Sequence, residues 1–324
     1  MVSNNKIRKI TVRFLVLVIV FLLVSASAYS AEYANPNLLV TPSNVEKNKD
    51  KWIVIDCRDK EATTDKKTGE TFKGYIDGHI PGAITLGGEC GKVLRTKETA
   101  TVFTDTADPK KYDTKKYEEI LGNAGISSDK TVVVYADVKR ITGASVGFWI
   151  LEWLGAKDVR FLNGGIEAWE AAGKKLDTTE TKLQKATFKA NPETMKKRIA
   201  TTEEVLKIAK GEIKEAQLID SRTPGEYAGT DVRAKRGGRI PSCLLNVSHT
   251  ETFDKKTGMI KSMDELEKLF GKLDKNKRTI PYCQTGTRST LTYLQFRLMG
   301  FKNVANYDDS WIIWGNREDL PIEK

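Results

Sequence analysis

Cys283 opens a short polar run, Gln284-Thr285-Gly286-Thr287-Arg288-Ser289, that gives a Cys-x4-Arg spacing with a glycine in its middle. Upstream, Arg278-Thr279-Ile280 reads as the end of a buried strand. Downstream, Thr290 to Met299 reads as a helix carrying Leu291, Leu294 and Leu298 and stopped by Gly300. The cysteine is therefore expected on a strand-to-helix turn, where unpaired backbone N–H groups converge and favour an anion. A free thiol has a pKa of about 8.5, and helix N-termini or a nearby Arg lower it to roughly 3.5–7.5. Cys283 is the candidate nucleophile, working as a thiolate. Gln284, Thr285, Gly286, Thr287, Arg288 and Ser289 are the candidate substrate cradle: backbone amides that stabilise a sulfur anion, and a guanidinium that attracts one. Gly286 supplies the φ that a tight loop requires. The competing reading is a buried cysteine acting as a small hydrophobe.

Spacing limits the chemistry. Cysteine phosphatases use Cys-x5-Arg, a wider cradle suited to tetrahedral phosphate; this loop is one residue shorter, which argues against phosphate transfer and arsenate reduction. Asn163-Gly164-Gly165 is a turn without the further Gly or Lys of a nucleotide loop. The chain has two histidines, His79 and His249, and four irregularly spaced cysteines with no C-x-x-C, so no metal and no cofactor is expected. His79 falls in a loop motif and reads as structural, and His249 has no motif partner.

Length and composition supply the frame. With 324 residues, 40% hydrophobic and 30% charged, the chain can bury cores for two ordinary domains. Four of its ten net positive charges are Lys6, Arg8, Lys9 and Arg13, which precede the apolar run 14–24 and then Ser25-Ala26-Ser27-Ala28. That is the pattern of a secretory signal peptide over residues 1–28, cleaved after Ala28, and it predicts a periplasmic or secreted protein with no membrane span once cleaved. The alternative is an uncleaved anchor, although the apolar run is short against the ~20 residues a span needs. The other lysines are scattered, which predicts no nucleic-acid partner and a mild preference for anionic small molecules. In an oxidising compartment a disulfide among Cys57, Cys90 and Cys243 is open, though Cys57 and Cys243 also read as small buried positions. Cys283 has to stay free.

The chain then repeats itself. Leu218-Ile219-Asp220-Ser221-Arg222 restates Val54-Ile55-Asp56-Cys57-Arg58, and Gly238–Cys243 restates Gly78–Ala83. Pro281-Tyr282-Cys283 aligns with Val134-Tyr135-Ala136, Met299–Val304 with Leu154–Val159, and Trp314 with Trp169. Strands are expected at 52–55, 130–135 and 159–162, helices at 114–122, 143–155 and 166–172, with a polar entry at 33–44 and a loop at 85–111. Alternation of this kind predicts an α/β fold with a parallel sheet in each copy. The boundaries are residues 35–175 for the first domain, 176–195 for a polar linker and 196–324 for the second. Asp56/Arg58 and Asp220/Arg222 either line a cleft between the domains or form structural ion pairs. Trp149, Trp153, Trp169, Trp311 and Trp314 read as core and interface. Ala136 stands where Cys283 would be, so the first copy is expected to be catalytically silent.

At these residues the chain resembles the rhodanese family, specifically tandem-domain sulfurtransferases. The resemblance rests on Ile55-Asp56-x-Arg58, Gly78–Ala83, Leu162–Gly165 with Trp169, the Cys283 loop, and Tyr307–Gly315. It implies two tandem rhodanese-like domains, each a parallel β-sheet flanked by helices, with a persulfide-forming cysteine only in the second. The implied partners are a small anionic sulfur donor and a thiol or cyanide acceptor. Cys-Gln-Thr-x-x-Arg looks like bacterial thiosulfate sulfurtransferases, whereas mercaptopyruvate-type loops look like Cys-Gly-Ser-Gly. The family usually has Gly at Asp309 and Glu at Ile313. Its mitochondrial members place cations near Glu226 and Thr285, and this chain has neither. Sulfur transfer from 3-mercaptopyruvate and a secreted binding module without turnover are the alternative readings.

Overall fold

In the computed structural model, which describes residues 32–66, 68–108 and 110–324, strands and helices alternate through both halves. The expected signal peptide lies outside the described residues. The strands of the first half are β1 (Leu39–Val40), β2 (Ile53–Asp56), β3 (Thr63–Thr64), β4 (Thr71–Phe72), β5 (Ile84–Thr85), β6 (Thr131–Tyr135) and β7 (Asp158–Leu162). Its helices are α1 (Pro42–Asn48), α2 (Cys90–Val93), α3 (Thr114–Asn123), α4 (Ile141–Leu154) and α5 (Gly165–Ala171). β3 and β4 form a small antiparallel hairpin; the other five strands make a parallel sheet in the order β1-β7-β6-β2-β5. The β-branched run Val132-Val133-Val134 is buried in the middle of that sheet, as a strand covered on both faces must be.

The second half repeats this with β8 (Ala216–Asp220), β9 (Cys243–Asn246), β10 (Arg278–Tyr282) and β11 (Asn303–Val304), a parallel sheet in the order β11-β10-β8-β9. Its helices are α6 (Pro192–Arg198), α7 (Thr202–Ala209), α8 (Pro224–Ala228), α9 (Met263–Phe270), α10 (Thr287–Leu298) and α11 (Ser310–Trp314). Where β1 completes the first sheet, the second has only an isolated parallel bridge, Ile199 to Asn306. β10 runs through Pro281, two residues past the strand end read from the pattern. Pro281 is tolerated because its missing N–H falls on the β11 side, beyond the two paired residues of that short strand.

Three expectations need correction. The polar entry contains β1 and α1: a two-residue strand is too short to show a period, and α1 is set by the Thr41 cap rather than by an apolar face. The 85–111 loop contains α2 and a tight arm at residues 95–102, closed by Thr96 N–H donating to the Thr101 carbonyl at 2.8 Å. The linker is a strap rather than a free tether, with Phe188 buried and Ala186 N–H donating to the Gly122 carbonyl at 2.9 Å. Its end is helical, since Asn191 caps α6 from within the predicted linker.

The halves meet through α4 and α10. Counted back from the helix-ending glycines Gly155 and Gly300, Ser145 and Thr290 hold the same position, and their hydroxyls are 2.7 Å apart. Glu152 and Arg297 are matched in the same way, and they pair at 3.0 and 3.1 Å. Equivalent residues touch at two levels, so the helices run side by side in the same sense about a pseudo-twofold axis. α4 is apolar nearly all round because it is covered both by its own sheet and by α10. The second half has its own arm at residues 253–260, closed by Asp254 N–H donating to the Met259 carbonyl at 2.8 Å.

Candidate active site

The frame of the site is a buried ion pair at the end of β8. Arg222 forks over the Asp220 carboxylate at 2.6–3.0 Å, donates to the Gly238 carbonyl at 2.8 Å, and lies over the Trp311 ring at 4.4 Å. Both members are shut inside the fold and do not line a cleft. Asp56 and Arg58 make the same fork in the first half at 2.6–3.1 Å, with Arg58 reaching the Gly78 carbonyl at 2.6 Å. In each copy a tyrosine hydroxyl at the end of the central strand accepts an N–H from the neighbouring loop: Ile80 to Tyr135 and Ile240 to Tyr282. A buried pair of this kind adds little net stability, but removing one partner strands a charge, so it defines where the loop above must start.

Cys283 leaves β10 directly onto that frame. Its N–H donates to the Ser310 hydroxyl at 3.1 Å, and its carbonyl accepts the Trp311 N–H at 3.0 Å. Ser310 holds a φ of 48°, a left-handed conformation that is uncommon for a residue with a side chain and that gathers at functional sites. The chain then turns into α10 through Gly286, with a φ of 70°. A Cβ there would lie 2.5 Å from the Asp308 carbonyl oxygen, so both conformation and space require glycine. Among the described residues, the amide N–H groups of Gln284, Thr285 and Gly286 have no acceptor. Those of Thr287 and Arg288 belong to the first helical turn, which leaves its donors unpaired. The Cys283 side chain is fully buried beneath this half-buried loop.

Arg288 faces the sulfur but is not a free cation. Its two terminal nitrogens donate to the two Glu226 oxygens, each at 2.7 Å. Burial works against the Arg288 charge, yet the Glu226 carboxylate and the Cys283 sulfur hold its proton more tightly than usual. Burial likewise opposes the Glu226 charge, but Arg288 and the Thr223 N–H and hydroxyl outweigh it and bring the carboxyl down to about 2. Glu226 is presented by α8, whose capping box it closes with Thr223. The expectation that Arg288 alone attracts a donor is therefore modified: its charge is largely matched by Glu226, with Arg233 a further 3.8 Å from that carboxylate at the rim. Gln284 reaches the Arg233 carbonyl at 2.9 Å, and the Thr285 hydroxyl donates to that of Thr287 at 3.3 Å. Ser289 turns inward, onto the Gly286 carbonyl at 3.1 Å and Asn306 at 2.7 Å. His249 lies within reach of the Arg288–Glu226 pair, and burial together with the Arg288 charge pushes it down to about 4, so it is neutral near pH 7.

The other cysteines play different parts. Cys57 is bonded to Cys90, which replaces the reading of Cys57 as merely a small buried position. Cys243 points its Sγ at the Leu218 and Leu245 carbonyls, and burial pushes its thiol up to about 12. His79 stacks on Tyr75 at 3.8 Å with its ring nitrogens on the Tyr75 and Thr179 carbonyls, a structural role. Among the described residues no cluster of metal-ligating side chains occurs.

Sequence reasoning missed Glu226, Arg233 and His249 as neighbours of the loop. Glu226 was named only as a position near which mitochondrial members place a cation; nothing local ties its carboxylate to an arginine 62 positions away. His249 carried no signal at all.

Comparison with known proteins agrees with this geometry. The rhodanese-like domain pattern matches residues 41–172 and again 201–317. The thiosulfate sulfurtransferase of Corynebacterium glutamicum is 31% identical over 313 residues, covering 93% of this chain and 90% of that protein. A sulfur carrier protein of Thermus thermophilus is 29% identical over 306 residues, covering 90% of this chain and 98% of that protein. Among solved structures, the anaerobic ergothioneine biosynthesis enzyme of Chlorobium limicola superposes with a TM-score of 0.74 at 21% identity, over 91% of this chain and 72% of that one. That last likeness is one of fold. With both halves matched and a relative of this identity aligned nearly end to end, the chain belongs to the rhodanese family, as two tandem rhodanese-like domains.

Proposed function

We propose that the protein is a sulfurtransferase that takes sulfane sulfur from thiosulfate onto Cys283 and passes it to cyanide or a thiol. The observation that carries this reading is a free cysteine, Cys283, seated at the mouth of a helix in a loop whose amides have no acceptor and beside an arginine held by Glu226. The Cys283 thiolate attacks the outer sulfur of thiosulfate. A sulfur–sulfur bond forms to Cys283, the donor's own sulfur–sulfur bond breaks, and sulfite leaves with the electron pair. Cyanide then attacks the outer persulfide sulfur, giving thiocyanate and returning the thiolate. This is covalent, two-step catalysis that needs no general base once the thiol is ionised. The loop amides stabilise the sulfur anions, as an oxyanion hole does for oxygen. Glu226 engages both ends of the Arg288 fork and so fixes the guanidinium beside the loop. The thiosulfate sulfurtransferase of Corynebacterium glutamicum supports the donor. That a relative in Thermus thermophilus is a sulfur carrier protein supports Cys283 as a holder of transferable sulfur. The Cys57–Cys90 disulfide supports an extracytoplasmic location, where such bonds persist, and so accords with a cleaved leader.

The test is thiocyanate release from thiosulfate and cyanide by the wild type and by Cys283→Ala, with 3-mercaptopyruvate as the rival donor. After thiosulfate alone, mass spectrometry should find one added sulfur, about 32 Da, on the Cys283 peptide. Turnover by Cys283→Ala, or a preference for mercaptopyruvate, overturns the assignment.

A further inference from the structure

The two arms described above are equivalent. Each closes on itself five residues along, and each then donates its next amide to the other half: Val102 N–H to Asp308 Oδ2 at 2.8 Å, and Ile260 N–H to Asn163 Oδ1 at 2.8 Å. Asp308 and Asn163 are themselves matched, eight residues beyond Gly300 and Gly155. The first arm therefore reaches the catalytic loop and the second reaches the silent one. They differ at the residue that begins each arm, which is Arg95 in the first and Phe253 in the second.

Arg95 is fully buried and spends its guanidinium on the other half. It donates to the Thr287 hydroxyl at 2.8 Å, to the Gly286 carbonyl at 3.2 Å, and to the Asp308 carboxylate. Its plane also lies 5.5 Å from the Trp149 ring. Burying a cation is expensive unless it is paired and hydrogen-bonded. Packing alone did not require one, because the matched residue of the second arm is a buried phenylalanine, Phe253. What the guanidinium adds is a hold on Gly286 and Thr287, the two residues where the Cys283 loop becomes α10 and where the loop's direction is decided. Asp308 accepts from Arg95 and Val102 together, so it pins the arm that delivers the cation. The arm is anchored at its root, since Cys90, five residues before Arg95, is bonded to Cys57 on the first frame.

We infer that Arg95, supplied by the first half, is a positioning residue for the Cys283 loop: it fixes Gly286 and Thr287 and with them the path of the loop into α10. This rests on the sulfur-transfer reading for its kinetic consequence but not for its structural one. A fork that makes two loop contacts cannot be replaced by an ammonium.

The experiment compares the wild type with Arg95→Lys, Arg95→Met and Thr287→Val in the full chain. The readouts are thermal melting, amide hydrogen exchange of residues 290–293, whose helical bonds run back to the loop end at 286–289, and single-turnover sulfur uptake from thiosulfate. Arg95→Lys keeps a charge for Asp308, so it should melt close to the wild type. Its amides at 290–293 should nevertheless exchange about tenfold faster or more, and its uptake rate should fall by about 10- to 100-fold with donor KM within about threefold, as a misplaced cradle predicts. Thr287→Val should move the same readouts in the same direction by less. Wild-type exchange and uptake in Arg95→Lys and Thr287→Val overturn the inference, even where Arg95→Met fails to fold. A KM effect with unchanged exchange also overturns it, because that is steering rather than positioning. If the wild type takes no sulfur from thiosulfate, the proposed reaction fails, and hydrogen exchange still decides the role of Arg95.

Discussion

After β6 the chain enters its helix through Ala136 and a one-turn 3-10 helix, Val138–Arg140, in which Asp137 accepts the Arg140 N–H at 2.8 Å. After β10 it enters through Cys283 and the glycine-turned loop to Thr287, one residue shorter between strand and helix, whose amides have no such cap. Both loops rise from the same Asp–Arg–Tyr frame. Beside Ala136 a space of only about 10 Å³ remains, about that of one water, ringed by Val138, Gly164, Gly165 and the partner arm's Gly258. The first copy differs by more than a sulfur: side chains hold two of its loop amides, Val138 N–H on Glu167 and Arg140 N–H on Asp137. The frame is what makes the fold; the uncapped loop, and the residues that hold it open, make the chemistry.

The largest effect separates the copies outright. Cys283→Ser should lower thiocyanate release by at least about 10³-fold, while the reciprocal Ala136→Cys should acquire no persulfide on residue 136 after thiosulfate, because the Val138 and Arg140 amides there are held by Glu167 and Asp137. A second loaded cysteine would break the comparison. Next is Gly286→Ala, which puts a Cβ against Asp308 and forces a positive φ; activity should drop about 100-fold, whereas Asp137→Ala on the silent loop should leave it unchanged.

Smaller in turnover but sharper in pH is Glu226→Gln. Arg288 then faces the sulfur without its counter-ion, and the fold should lose on the order of 3 kcal/mol in urea titrations at pH 7. The Glu226 carboxyl is held at about 2 against 4.5 when unfolded, so its stabilising contribution is complete above pH 4.5 and fades as the pH falls toward 2. Melting temperatures of the wild type should decline through that window more steeply than those of Glu226→Gln; parallel declines would remove Glu226 from the account.

The smallest effect on turnover concerns the position that carries Cys57 in one half and Ser221 in the other. Cys57 is tied to Cys90 against Gly147, and Ser221 meets Thr292 at 2.9 Å; Gly147 and Thr292 are matched positions, each eight residues before its helix-ending glycine. A link closing about 33 residues should be worth about 3–4 kcal/mol, and the hydroxyl pair about 1 kcal/mol. Urea titrations of Cys57→Ala/Cys90→Ala and of Ser221→Ala should rank in that order, with sulfur transfer within about fivefold of wild type for Ser221→Ala.

The readable parts were those encoded by neighbours in the chain. Ile55-Asp56-x-Arg58 and its copy announce themselves because strand end, ion pair and turn fall within five residues, and Cys283 to Arg288 is legible for the same reason. β1 escaped because two residues carry no period, and its pairing with Phe161 and Leu162 is decided by β7. Cys57–Cys90 was one of several open pairings. Glu226 and Arg95 escaped because their partners are 62 and about 190 residues away and are brought close only by the folding of both halves.

The crossed arms have a consequence for how such a chain can be divided. A fragment beginning after the strap would carry the thiol and its whole signature, yet it would lack the brace on Gly286 and would turn the α4-facing side of α10 to water. The copy with Ala136 in place of the thiol thus still shapes the loop of the copy that keeps it.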